Sequence, residues 1–180
     1  MVRRIHRAPD AGGTFDAGDP RRDRRLRRAA GHAEPVRRDC RSDDARAVVD
    51  FGTATTFDCI TADGRFIGGV IMPGLRTASD ELVRKTAKLP ATELTPPTHA
   101  IGRRTEDCIR AGVLWGAADA VDGLVRRIKA EWPSKTRPVV VGTGGLAGLV
   151  APLCREIESV HPDLTLVGLR IAATALGLKW

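Results

Sequence analysis

The sharpest chemical feature of this sequence is Asp50-Phe51-Gly52-Thr53-Ala54-Thr55-Thr56, an acid at a strand end followed by glycine and hydroxyls. In a hairpin turn of this composition, backbone amides and threonine hydroxyls can approach phosphate oxygens. The carboxylate can hold a cation or a water beside them. The plain alternative is a hairpin whose threonines only satisfy β propensity. A second feature is Val139-Val140-Val141-Gly142-Thr143-Gly144-Gly145, which precedes a helical pattern. Consecutive glycines let a backbone lie flat against a base or sugar, with a helix N-terminus nearby; the alternative is a strand-to-helix turn that needs positive φ. No Gly-Lys-Ser/Thr follows, so this is not a P-loop, and it lacks the spaced GxGxxG dinucleotide pattern. Thr105 stands before Glu106 and Asp107 and reads as a helix N-cap, a position from which a hydroxyl can still face a ligand. His99 and His161 fall in proline-containing loops with no second ligand at metal spacing, and Cys108 reads as packing.

These groups need elements to hold them. Ala47 to Phe51 is an apolar strand ending in an acid, Gly52 to Thr56 a tight turn, and Thr56 to Thr61 the returning strand of a hairpin. Ala62-Asp63-Gly64 makes the next turn, Phe66 to Ile71 a third strand, and Leu75 to Lys85 a helix; Pro90 to Pro97 is a loop. The longest helix is predicted over Glu106 to Trp132, with an apolar face of Ile109, Val113, Ala117, Ala120, Val121, Leu124 and Ile128. Arg126, Arg127 and Lys129 suit its C-terminal dipole, and Pro133 stops it. Pro138 to Val141 reads as a buried strand, Gly142 to Gly145 as a glycine turn, Leu146 to Glu158 as a helix and Thr165 to Leu178 as a last helix. That order describes an α/β domain with a mixed sheet.

Residues 1–46 are different. They are built from Arg, Asp, Ala, Gly and Pro with almost no branched aliphatics, and carry arginine but no lysine. Such a segment cannot bury enough apolar surface to offset its ordering entropy, so it is expected to be disordered or non-native. Its residues are those of GC-rich codons, as out-of-frame translation of a GC-rich gene would produce; upstream DNA offering no better reading frame would refute that origin. Much of the net charge of +7 lies here, while later acids and bases are nearer balance. The basic stretch has no aromatic interleaving, which argues against nucleic-acid binding. At 180 residues and 42% hydrophobic composition, the chain can bury the core of one ordinary domain. No window approaches the ~18 apolar residues of a membrane span, and no apolar run marks a signal peptide. Cys40, Cys59, Cys108 and Cys154 form no CxxC pair and read as reduced thiols of a cytoplasmic protein.

Taken together, residues 47–180 resemble the type III pantothenate kinases. The strings that carry the resemblance are Val49 to Asp58, Gly68-Gly69-Val70-Ile71-Met72-Pro73-Gly74, Thr86-Ala87-Lys88-Leu89-Pro90, Gly102-Arg103-Arg104-Thr105, Gly144-Gly145 and Leu164 to Leu169. The resemblance implies an actin-like ATPase fold of two RNase-H-like domains, of which residues 47–180 would be the second. It also implies a homodimer that phosphorylates pantothenate with ATP at the start of coenzyme A synthesis. The implied cofactor is a monovalent cation, potassium or ammonium, with magnesium accompanying ATP. By this resemblance Asp50 is the cation-binding acid, Gly52 and Thr53 belong to the second phosphate loop, Gly144 and Gly145 form the adenosine motif, and Thr105 contacts pantothenate. The Gly68 to Gly74 and Thr86 to Pro90 stretches look like parts of the cleft and dimer surface.

Two family features are not recognisable. The first phosphate loop, DxGNT after a strand, is echoed only superficially by Asp10-Ala11-Gly12-Gly13-Thr14, with no apolar strand before it. The Gly-Ala-Asp-Arg string, which carries the catalytic base, is absent; Asp23-Arg24 and Asp39 fall near its place without its context. No catalytic residue is therefore assigned. The alternatives are a non-catalytic nucleotide-binding or regulatory accessory protein of the same fold and, behind it, a basic nucleic-acid-binding protein. A lone half of the fold would leave an apolar face uncovered, which predicts poor solubility or obligate dimerisation.

Overall fold

The structure is a computed structural model and describes residues 44–135 and 137–178. The expectations for the arginine-rich stretch, including Asp10 to Thr14, Asp23-Arg24 and Asp39, lie outside the described residues, apart from Asp44, Ala45 and Arg46 at its end.

Five strands form one mixed sheet in the order β3-β2-β1-β4-β5. β1 (Arg46–Phe51) is central and alternates half-buried with buried residues, so Ala47, Val49 and Phe51 enter the core while Val48 and Asp50 take the other face. β2 (Ala54–Ile60) returns antiparallel to it, and β3 (Phe66–Pro73) continues the meander to the sheet edge. On the other side β4 (Val139–Thr143) runs parallel to β1, and the two-residue β5 (Ser159–Val160) pairs parallel to β4. Val140 to Thr143 are buried in succession, as a strand covered on both faces requires. The core joins Val49, Phe51, Phe57 and Val140 of the sheet to Leu75, Leu114, Val121, Val125 and Val150 of the helices. Each such side chain stabilises the fold by roughly 1.5–3 kcal/mol through burial.

α1 (Leu75–Lys85) has the predicted bounds. The predicted long helix is broken in character: α2 (Thr105–Arg110) passes through a π-helical turn at Ala111–Trp115 into α3 (Gly116–Glu131). The wider turn puts Ile109 and Leu114, five residues apart, into the same core, and Ala118, Val121 and Val125 follow. Of the expected face, Ile109, Val113 and Val121 are buried in the core, while Ala117, Ala120, Leu124 and Ile128 are only half-buried.

The third helix prediction, Leu146 to Glu158, is corrected. α4 (Ala147–Val150) spans four residues and ends in a 3₁₀ turn at Ala151–Leu153. Pro152 cannot donate to a continuing helix. Beyond it, buried Asp122 captures the chain: Oδ1 and Oδ2 accept from Arg155 N at 2.9 and 3.0 Å, and Oδ1 accepts from Glu156 N at 3.0 Å. Glu158 N then donates to Val140 O and His161 N to Gly142 O, which makes β5, a strand the periodicity did not reveal.

α5 (Leu164–Ala175) is apolar yet uncovered: Leu166, Leu169 and Ile171 are 65%, 58% and 62% exposed, and Ala173 is its buried residue. Phe66 and Ile71 of β3 are exposed in the same way. An uncovered apolar surface is thus present among the described residues.

Candidate functional site

Asp50 lies between two strands that end side by side. In the register of the sheet it faces Thr56 of β2 and Thr143 of β4. Gly144 leaves β4 with φ +92, a region that favours glycine, and bends back over the end of β1. A Cβ on Gly144 would meet Asp50 Oδ1 and stand 2.8 Å from Phe51 N and 2.9 Å from Phe51 C, so no other residue fits. From the opposite side, a Cβ on Gly52 would lie 3.7 Å from the same oxygen. Leu146 N donates to Phe51 O at 3.2 Å and ties the glycine turn to β1. The structure therefore gathers Asp50, Gly52 and Gly144 in one place, and Gly145 follows, exposed, with open space where a side chain would stand. The helix N-terminus expected beside this turn is only the four-residue α4, too short to supply much dipole.

Thr53 occupies the exposed tip of the β1–β2 turn, where Gly52 N donates to Ala54 O at 3.1 Å. Its carbonyl accepts two hydrogen bonds, from Gly74 N at 3.1 Å and from Thr77 Oγ1 at 2.7 Å. Gly74 is the N-cap residue of α1, and a Cβ there would overlap the carbonyl oxygens of Gly52 and Thr53. Sequence reasoning missed this brace. The available signal was Pro73-Gly74 between a strand and a helix, with a hydroxyl in the first helical turn.

Thr105 is set apart. It is the first residue of α2 and not its cap; the N-cap is Arg104, with extended backbone and no side-chain cap bond. Glu106 and Asp107 still suit the helix dipole. Freed from capping, exposed Thr105 lines an apolar cavity of about 590 Å³ together with Met72, Pro73, Leu75, Leu89 and Val113. The Gly68 to Gly74 and Thr86 to Pro90 stretches each supply lining residues, Met72 and Pro73 from one and Leu89 from the other. Pro73 and Leu75 flank Gly74, so the wall of the cavity and the Thr53 turn share one segment of chain.

Of the oxygen donors that the monovalent cation implied by the resemblance would need, Asp50 supplies one. Asp50 is half-buried, and among the described residues no hydrogen bond or ion pair reaches its carboxylate. A carboxylate without a protein partner is a hard oxygen donor of the kind such cations take. No group of three or more His, Cys, Asp or Glu side chains able to hold a metal lies among the described residues.

The sequence model of the family described as type III pantothenate kinase matches residues 27–127. A type III pantothenate kinase of Desulfatibacillum aliphaticivorans is 51% identical over 129 residues, 71% of this chain and 49% of that protein. Type III pantothenate kinase 1 of Symbiobacterium thermophilum is 50% identical over 69% of this chain and 47% of its own length. The chain spans about half the length of the curated relatives it matches. Among solved structures, a Campylobacter jejuni protein described as a Baf family transcriptional activator aligns with a TM-score of 0.53 at 20% identity. The alignment covers 77% of this chain and 61% of that one, a likeness of fold.

Proposed function

The chain belongs to the type III pantothenate kinase family, and we propose that the reaction it serves is the ATP-dependent phosphorylation of pantothenate to phosphopantothenate. The observation that carries this reading is the convergence of the hydroxyl turn at Gly52-Thr53 and the glycine turn at Gly144-Gly145 on the Asp50 carboxylate. In this reading the fold is the nucleotide-binding half of an actin-like ATPase, RNase-H-like, over residues 47–180. The Gly52-Thr53 turn holds ATP phosphates through the amide and hydroxyl of Thr53, while the Gly52 amide, bonded to Ala54 O, keeps the turn closed. The flat backbone of Gly144-Gly145 lies against the adenosine. Asp50 holds potassium or ammonium, whose positive charge offsets the charge on the transferred phosphoryl group. Magnesium arrives with the nucleotide. Thr105 contacts pantothenate at the rim of the apolar cavity, which suits the branched aliphatic part of that substrate.

No base for the pantothenate hydroxyl is assigned among the described residues. Loss of a positioned base and of one phosphate clamp costs several orders of magnitude in rate. We place the protein in the cytoplasm as a homodimer, with no nucleic-acid or membrane partner; no described helix is long and apolar enough to cross a membrane.

The test is phosphopantothenate formation by the purified chain with ATP, pantothenate and potassium, with Asp50→Ala as control. Turnover lost on that change supports the kinase. ATP binding without turnover makes the chain a nucleotide-binding accessory of the same fold, and absence of ATP binding refutes the site.

A further inference from the structure

We propose that Thr77 is a positioning residue that sets the phosphate-facing geometry of the Thr53 turn, an assignment that rests on the nucleotide reading above. Thr53 sits at an exposed tip where a two-residue connection between β1 and β2 would otherwise be free to rock about its own peptide bonds. Among the described residues, the carbonyl oxygen of Thr53 is the one atom of that tip hydrogen-bonded from outside the hairpin. Gly74 N donates to it at 3.1 Å and Thr77 Oγ1 at 2.7 Å, twenty-four positions along the chain. Fixing a carbonyl with two donors fixes the plane of the Thr53–Ala54 peptide, because the amide is planar. It therefore limits ψ at Thr53, and with it the direction in which the Thr53 hydroxyl leaves the turn.

The brace is built from a rigid element. Thr77 lies in the first turn of the eleven-residue α1, whose Leu75 is buried in the core. Gly74 sits so close to the tip that a Cβ would overlap the Gly52 and Thr53 carbonyl oxygens, so α1 begins in direct contact with the turn. A hydroxyl in the first helical turn usually serves its own helix end. Here Thr77 spends its proton on the neighbouring loop, and Gly74, at the N-cap position, has no side chain to cap the helix. Because the same Pro73-Gly74-Leu75 segment also lines the cavity beside Thr105, the brace joins the phosphate turn to the wall of the proposed substrate cavity.

The test compares wild type, Thr77→Ala and Thr77→Ser for affinity to magnesium ATP and to adenosine, with hydrogen exchange at the amides of residues 52–54. Loss of one neutral hydrogen bond to the tip is expected to weaken ATP binding about five- to tenfold, with adenosine binding unchanged and serine restoring the wild-type value. Exchange at the tip should quicken in Thr77→Ala and recover in Thr77→Ser. Equal loss of ATP and adenosine affinity, or unchanged ATP affinity in Thr77→Ala, overturns the assignment. If the wild-type chain binds no ATP, the nucleotide reading fails instead. The brace is then judged on exchange alone, where quickening reversed by serine upholds it and unchanged rates overturn it.

Discussion

The carboxylate of Asp50 and the backbone of Gly144 occupy adjoining space at the ends of two parallel strands, ninety-four positions apart in sequence. A side chain on Gly144 would meet Asp50 Oδ1, and its Cβ would stand 2.8 Å from Phe51 N. This contact makes two separate glycine-bearing turns into one site, and it depends on the register in which Asp50 pairs with Thr143.

Gly144→Ala should therefore destabilise the chain by about 2–3 kcal/mol, since it combines a strained φ with a clash against backbone. Gly145→Ala has open space around it and should stay within about 0.5 kcal/mol of wild type. Urea midpoints of the two variants test the contrast; equal midpoints would contradict the geometry.

Asp50→Asn should leave stability nearly unchanged, because no described protein group is bonded to the carboxylate. It should remove the potassium dependence of ATP binding and weaken that binding by about tenfold or more. Titrations with potassium and with a large inert cation measure this directly. A potassium response that survives the change would exclude Asp50 as the cation ligand.

Asp122→Ala removes the acceptor of three bonds from the amides of Arg155 and Glu156 in a buried setting. A loss of about 2–4 kcal/mol is expected, with the 154–158 loop released from the β4 edge. Thermal unfolding reads the first effect and proteolysis within that loop the second.

Burial foremost, and then the charges of Asp122 and Asp119, push the Cys154 thiol up to about 12, and its Sγ donates to Val150 O. At pH 8 Cys154 should resist alkylation while exposed Cys108 reacts. The folded state holds this proton where the unfolded chain, with an ordinary value of 9.0, has lost it. The contribution of Cys154 to stability should accordingly be constant below about pH 9 and be lost as pH rises from there toward 12. Comparing wild type with Cys154→Ala across that range isolates the contribution.

Much of the meander and of α1 was legible because its signals are local. The apolar run of Ala47 to Phe51 and the glycines at the turns each act within a few residues. The phase of the long helix was legible only in part: Ile109, Val113 and Val121 are buried as expected, but the π-helical turn places Ala118 and Val125 in the core where Ala117 and Leu124 were expected. β5 escaped notice because two residues carry no periodicity; its pairing is enforced by Asp122, an acid on a different helix.

By itself the sequence marked out the candidate residues: Asp50, the hydroxyls after it, the paired glycines at 144 and 145, and Thr105. Strand ends, turns and glycines are local choices of backbone conformation, and a chain states them residue by residue. Only the tertiary structure decided that β1 and β4 lie side by side, so that Asp50 is shared by both turns, and that Thr77 of α1 holds the Thr53 carbonyl. Those relationships arise from burying Val49, Phe51 and Val140 in one core, a long-range free-energy balance that no local window contains.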